Sequence, residues 1–489
     1  MVQISQAVAD EIRRTQEVPI SVLVDVFKKH RRYVPYFVEQ EKQYEGEHDI
    51  LNRQPPKKGR SNAKVVANCQ KYIVDMNTAI LTTDEIEYTT VDDEQEKMDA
   101  IKDILADCDA MLSDVETVRY CAEFGCSYEL LFKSSKTLKT KIKSIKPYQA
   151  FIAYDDTLDE EQAFGVYYYR VDDSYADDYG KYIVYVFTDK TFRRYLTSDF
   201  TAFSGGEEEM LHGFATLPLI KYQNNAQEVS DFHYVVALIN NYEVLLSEIV
   251  NSIADHNRNK LFIRGGTVRQ KRTTPREYEA ANGNKIGADK EDDDITKADV
   301  INMQSDSADA KFLQNDLDLA GIRDTIDIFR DEIAKFSYTP NLTDKNFIGN
   351  SSGVALNYKT LAFVNHAKTK ERYIRKGLRQ RLYVICHALN YTIDLSLESV
   401  KVTFCHTLPK DLKETADIIY TLKGTVPLKT LLTQIPFVDD VDQCLEELKQ
   451  EQKEQLEKEA NALYPELMSG GVEDDEAADN PDAAATNKG

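Results

Sequence analysis

Several things are scarce in this sequence, and each scarcity excludes a class of protein. No run approaches the roughly 18 apolar residues that a membrane-crossing helix needs; "YIVYVF" at 182–187 is among the longest, so no membrane partner is expected. The amino-terminal "MVQISQAVADEIRR" lacks the apolar core of a secretory signal. Cysteine is sparse: seven residues, an odd number spread from Cys69 to Cys444, form no disulfide framework, and a reducing cytoplasm is the expected setting. Cys121 and Cys126 make one close pair with no second pair to complete a zinc site. In Cys386-His387 and Cys405-His406 the residues are adjacent, the wrong spacing for a shared metal. Positive charge is also in deficit, with 60 Lys and Arg against 83 Asp and Glu and a formal net charge of −23. A surface that grips nucleic acid broadly needs clustered cations, so tight binding is not expected. Letting DNA pass without gripping it remains open.

Recognisable chemistry is missing too. There is no G-x-x-x-x-G-K-[ST], G-x-S-x-G, H-E-x-x-H or G-x-G-x-x-G. The eight His are scattered and none is paired with acids at catalytic spacing. Acidic clusters at 92–96 and 291–294 could hold Mg²⁺ in principle, but runs of adjacent acids point in divergent directions. No catalytic residue, metal or cofactor is assigned, and the chain is not read as an enzyme.

What is present is ample core material: 489 residues, 42% hydrophobic, with 28 Tyr and 20 Phe, enough for two to four domains. The first 120 residues read as helices. Ser21 is expected to cap "VLVDVFKKHRRYV", "NAKVVANCQKYIVDMNTAIL" (62–81) has helical spacing, and "DDEQEKMDAIKDILADCDAML" (92–112) reads as one capped surface helix. From about 127 the period falls to two through "SYELLFK", "AFGVYYYRV" and "KYIVYVFTDKTFRRYL", giving a mostly antiparallel sheet that closes near "LPLIKY" (217–222). The class is therefore α+β.

Two long helices follow. One, of about 30 residues, starts at a Ser230 or Asp231 cap. The other carries Leu319, Ile322, Ile326, Phe329, Ile333 and Phe336 as a heptad seam, with Asp316, Asp318, Asp324, Asp327, Asp331 and Glu332 off it. On pattern alone this is an ordinary bundle hairpin. The insert between them (261–303) has a basic run (Arg264, Arg269, Lys271, Arg272, Arg276) and an acidic run (291–294). Such runs are usually a solvated face, but runs of opposite sign also suit subunits meeting in a ring.

A polar connection, "FSYTPNLTDKNFIGNSSGVALNYK" (336–359), leaves the second helix. Pro340 is expected to end that helix, and Ser351 or Ser352 to cap the next, which runs to about Tyr391. From Lys359 to Arg381 that helix carries eight Lys or Arg and one acid, Glu371, which points to an acidic protein surface as its partner. A strand-like "VKVTFC", a helical region (409–460) and an acidic tail expected to be disordered close the chain.

The strings "QYEGEHDILNR" (43–53), "NAKVVANCQKYIVD" (62–75), "EFGCSYELLF" (123–132), "LPLIKYQNN" (217–225) and "NFIGNSSGVALNYK" (346–359), in this order, resemble the portal proteins of tailed bacteriophages, in particular the family typified by Bacillus phage SPP1. One departure is visible: "MNTAILTTDEIEY" stands where such proteins often have a Gly-containing turn after "KYIVD".

The resemblance implies a portal fold in a homo-oligomeric ring of about twelve subunits at one capsid vertex of the virion, assembled in the host bacterial cytoplasm. It implies a helical and β wing (1–225 and 353–404), a long-helix stem (226–260 and 305–338) and a small β-containing clip (261–304). A tunnel loop (339–352), a helical crown (405–464) and the tail (465–489) complete it. The stem acids Asp316, Asp324, Asp327 and Asp331 would line a channel for double-stranded DNA. Asn341, Asp344, Lys345, Asn346 and Asn350 would form the tunnel loop. Arg269, Lys271, Arg272 and Arg276 would dock the terminase large subunit and later the head-completion adaptor protein. Scaffolding and major capsid proteins are implied as further partners. The competing readings are a metal-dependent nuclease or other phosphoryl-transfer enzyme, and an oligomeric scaffold without a channel.

Overall fold

The computed structural model describes residues 2–55, 61–90, 95–174, 178–214, 216–256, 260–264, 266–269, 300–303, 309–313, 319–342, 353–389 and 400–404, and short stretches between 416 and 453. The chain divides into two units, Met1–Thr407 and Leu408–Gly489. The elements of the first unit, in order, are β1 (Val2–Ile4), α1 (Gln6–Thr15), α2 (Ile20–His30), α3 (Val34–Glu45), α4 (Cys69–Thr82), β2 (Glu87–Thr90), α5 (Gln95–Asp107) and α6 (Ala110–Phe124). Then come β3 (Cys126–Lys133), β4 (Thr140–Ile145), β5 (Ala150–Asp155), β6 (Gln162–Arg170), β7 (Tyr182–Phe187), β8 (Thr191–Thr197), β9 (Ser204–Leu211) and β10 (Leu219–Gln223). After them are α7 (Val236–His256), β11 (Lys260–Arg264), β12 (Gly266–Arg269), β13 (Val300–Met303), β14 (Asp309–Leu313), α8 (Leu319–Phe336), α9 (Gly353–Ala388) and β15 (Val400–Thr403). The second unit contains a short α10 (Leu428–Leu432).

The β region is two sheets, not the single one expected. Strands β1-β5-β6-β7-β8-β9 form one and β10-β3-β4 the other. Successive strand residues face opposite sides, so β6 serves two cores. Phe164, Val166 and Tyr168 pack under α1 and α2 with Phe27 and Val26. Tyr167 faces the second sheet with Leu130, Ile152 and Leu219. The parallel pairing of β1 with β5 was not foreseen, because three residues carry no readable period.

Three helix expectations need correction. Segment 92–112 is two helices, broken where Asp109 adopts a left-handed φ of 53°. Ser21 lies inside α2 and caps nothing: Pro19 precedes the helix, and its carbonyl accepts the N–H groups of Val22 and Leu23. Residues 62–68 are not helical; α4 begins at Cys69, where the Asn68 side chain accepts the Lys71 N–H.

A further core lies between α4, α5, α6 and α9, where Leu81, Ile101, Val118, Ile374, Leu378 and Leu382 meet. Strand β15 pairs antiparallel with β2, so residues 400–403 return to the body built by the first 225. Glycine permits two close approaches that hold α6 and α9 in place. Gly125 ends α6 at φ 95°, where a Cβ would stand 2.2 Å from the Glu228 carbonyl oxygen. Gly377 lets α9 touch the Tyr222 ring, 2.5 Å from where a Cβ would sit.

Candidate functional site: a helix hairpin and its polar exit

The hairpin is α7 and α8. Helix α7 starts at Val236, after a 3-10 turn over His233–Val235, and neither Ser230 nor Asp231 caps it. Both side chains have other partners: Ser230 donates to Gln40 Oε1 at 2.7 Å, and Asp231 accepts from Lys370, as described below. One face of α7 presents Glu243, Ser247 and Asn251, all buried. They accept the backbone N–H groups of Ala67 (2.9 Å), Val65 (3.0 Å) and Ala63 (2.7 Å). The match is geometric. Two residues of extended chain advance about 6.6 Å, and four residues of helix about 6.0 Å, so alternate amides meet every fourth side chain. This is why residues 62–68 form no helix despite their helical spacing: the amides of Ala63, Val65 and Ala67 are satisfied by a helix nearly 200 positions away.

His48 is fully buried beside the same carboxylate. Its Nδ1 meets Glu243, and its Nε2 lies 2.8 Å from the Gln43 carbonyl. Burial disfavours the imidazolium, but the hydrogen bonds to Glu243 and Gln43 and the Glu243 charge outweigh it, raising the His48 pKa above its ordinary value. Arg53 pairs with Glu248 on the next turn. Sequence reasoning missed this polar rail: Glu243, Ser247 and Asn251 recur every fourth residue, but Asn240, Asn241, Glu248 and Ser252 make the same helix polar elsewhere.

Helix α8 is held differently. Its seam residues Ile326, Phe329 and Ile333 pack with Ile73, Ile239 and Tyr242, as the heptad predicts. Phe329 stacks on Tyr242 with ring centroids 6.1 Å apart, and Arg330 Nε donates to the Tyr242 hydroxyl at 3.1 Å. Phe336, the last seam residue, is exposed. Asp324, Asp327 and Asp331 are also exposed, at spacings of three and four on the side away from the seam.

The exit from α8 is built and anchored. The helix ends at Phe336, ahead of the stop expected at Pro340, because Tyr338 turns left-handed at φ 58°. Ser337 and Thr339 are buried. The Tyr72 hydroxyl donates to the Pro340 carbonyl at 2.7 Å. The Tyr338 ring stacks on His366 of α9, centroids 5.0 Å apart and planes within 12°. Next to His366, Lys370 Nζ donates to Asp231 Oδ2 at 2.5 Å, both side chains being buried, and Asn224 donates to the other oxygen at 2.8 Å.

A second buried ion cluster fixes the far part of α9. Arg381, fully buried, donates from Nε to Glu129 Oε1 at 2.8 Å and from Nη2 to Asp114 Oδ1 at 2.5 Å. Burial opposes the Arg381 charge, but Asp114 and Glu129 hold its pKa well above the ordinary value. Arg375 pairs with Glu371 at 3.2 Å. Three of the eight cations of this helix are thus neutralised within the chain, which corrects the expectation that the basic run as a whole faces a partner.

The family model for phage portal proteins described as SPP1 Gp6-like matches residues 25–458. The chain belongs to that family. It is 23% identical over 330 residues to the portal protein of Bacillus phage SPP1, an alignment covering 66% of this chain and 58% of that protein. It is 21% identical over 248 residues to the portal protein of Clostridium phage phiCD119, covering 50% of this chain and 51% of that one. The chain therefore spans between half and three-fifths of the length of these portal relatives.

The expected site residues are placed only in part. Asp324, Asp327 and Asp331 share one exposed face of α8, and Asn341 follows directly on the anchored Pro340. Arg269 ends β12, opposite Val300 of β13. Asp316, Asp344, Lys345, Asn346, Asn350, Lys271, Arg272 and Arg276 lie outside the described residues.

Proposed function

We propose that this chain is the portal subunit of a tailed phage. About twelve copies form a ring at one capsid vertex, through which a terminase drives double-stranded DNA inward and from which DNA later leaves. Head-completion adaptor, scaffolding and major capsid proteins are its other partners, and the virion is its place of residence. The observation that carries the reading is the family match across residues 25–458. Chain organisation supports it. The pairing of β2 with β15 joins two strands more than 300 residues apart, which suits a wing assembled from 1–225 and 353–404 with the stem, clip and tunnel loop inserted between its parts.

In this reading α7 and α8 are the stem, 261–304 the clip and 339–352 the tunnel loop. The protein does no bond-breaking; a separate ATPase supplies the work. A channel wall must not hold its cargo, because every phosphate neutralised by a cation adds binding free energy that has to be given up at the next step. The outward acids of α8 suit that wall. The loop takes the narrowest place, where Lys345, balanced by Asp344, meets phosphates briefly and Asn341 and Asn346 give neutral contacts.

The reading is tested at the loop. Lys345→Ala is expected to leave assembly intact and to alter packaging or retention of DNA, and Lys345→Cys to crosslink to DNA in filled heads. A loop on the outer rim, giving no crosslink, contradicts it. Mg²⁺-dependent cleavage of DNA by the purified protein, abolished at one carboxylate cluster, would replace it with a nuclease.

A further inference from the structure

The cations of α9 that remain after its internal pairs are counted are not scattered. Lys368, Arg372, Lys376 and Arg379 follow one another at spacings of four, four and three, so they form a single stripe along the helix. The first three are exposed. Among the described residues none of the four has a carboxylate within ion-pair distance, whereas Lys370, Arg375 and Arg381 on the same helix all do. Arg379 is the most telling. It is half-buried, its Nε has no hydrogen-bond partner, and burial together with neighbouring Arg375 lowers its pKa from the ordinary value. Like charges at this spacing destabilise an isolated helix, and among the described residues no carboxylate pairs with these four to relieve them.

The ends of the stripe are apolar. Tyr358 and Leu361 precede it and Tyr383 follows it on the same face, all exposed to roughly half or more (74%, 50% and 47%). Tyrosine and arginine around an apolar patch are the composition of protein–protein contacts. Duplex DNA would use the charge but leave these side chains in water.

We propose that this face of α9 is the docking surface for the acidic side of a second copy of this chain. The choice of occupant rests on charge. Each copy carries a net charge of −23, so copies repel one another at long range unless a cationic face is turned toward the neighbour. The inference deepens the proposed ring by assigning one side of each subunit contact.

The test is Arg372→Glu with Lys376→Glu in the full-length chain, read by light scattering across protein and salt concentration, with Arg372→Gln and Lys376→Gln as the milder pair. The expected result is at least a tenfold rise in the concentration for half-assembly for the Glu pair and a smaller rise for the Gln pair. Wild-type assembly should weaken as NaCl rises, and assembly of the Glu pair should lose that dependence. The melting temperature of the unassembled Glu variant should be unchanged or higher, since repulsion along the helix is relieved. Assembly at wild-type concentration overturns the proposal, whether or not the variant loses affinity for duplex DNA. A clear drop in the melting temperature of the unassembled variant also overturns it, because the cations would then be serving their own fold. A wild-type particle with no axial hole sinks the portal reading but not this surface, which is read from mass alone.

Discussion

Helices α7 and α8 share one apolar seam, but α7 adds a row of buried polar attachments to the rest of the molecule. Buried polar side chains clamp α7 to a non-helical segment far away in sequence, and a buried His48–Glu243 pair locks its base. Helix α8 has an apolar seam on one side and acids on the other. Buried hydrogen bonds have one correct geometry, whereas an apolar seam tolerates small shifts. The comparison assigns α7 the role of fixed post and leaves α8, which leads into the polar connection, as the helix with an uncommitted face.

The strongest way to break this contrast is Glu243→Ala. It strands buried His48 and the Ala67 amide, and should cost about 4 kcal/mol, the scale for removing one partner of a buried pair. Urea unfolding measures it, and a cost below about 1 kcal/mol would mean the clamp is ornamental. The same pair sets a pH window. Because the folded-state pKa of His48 is raised, its contribution is fully present below the unfolded value of about 6.5. It is lost as pH rises through the higher folded value. Stability should therefore fall on the alkaline side, and His48→Gln should flatten that fall.

Next in size is Ile333→Ala on the seam of α8, about 3 kcal/mol from lost burial and the cavity left behind. Unlike the Glu243 change, its cost should not vary with pH. Ser247→Ala leaves only the Val65 amide without its acceptor and should cost about 1 kcal/mol; hydrogen exchange at Val65 should accelerate while Ala63 changes less. Smallest of all, Asp324→Lys with Asp331→Lys should move stability by no more than about 0.5 kcal/mol, since both side chains are exposed. DNA packaging should nevertheless slow, because the wall would then hold phosphates. Packaging at the normal rate would take α8 off the wall.

The contrast also explains what could be read from the sequence. The seam of α8 was legible because an apolar period of seven is written within one element. The strands were legible for the same reason, although their division into two sheets was not. The rail was illegible because its other half is a non-helical segment, 62–68, whose own spacing imitates a helix until the acceptors on α7 are known. The cations of α9 show the same limit. The Glu371–Arg375 pair is readable at its four-residue spacing, but Lys370 and Arg381 look no different in sequence from Lys368, Arg372 and Lys376, and only the positions of Asp231, Asp114 and Glu129 separate them.

The central claim is a ring around DNA, with α8 and the 339–352 connection facing its axis. A reconstruction of the purified particle by electron microscopy tests it most directly. The account predicts an annulus of about twelve copies whose axial hole admits a duplex, with Asp324, Asp327 and Asp331 turned toward the hole and the connection at its narrowest point. A particle without an axial hole, or an annulus with α8 on its outer rim, would contradict it.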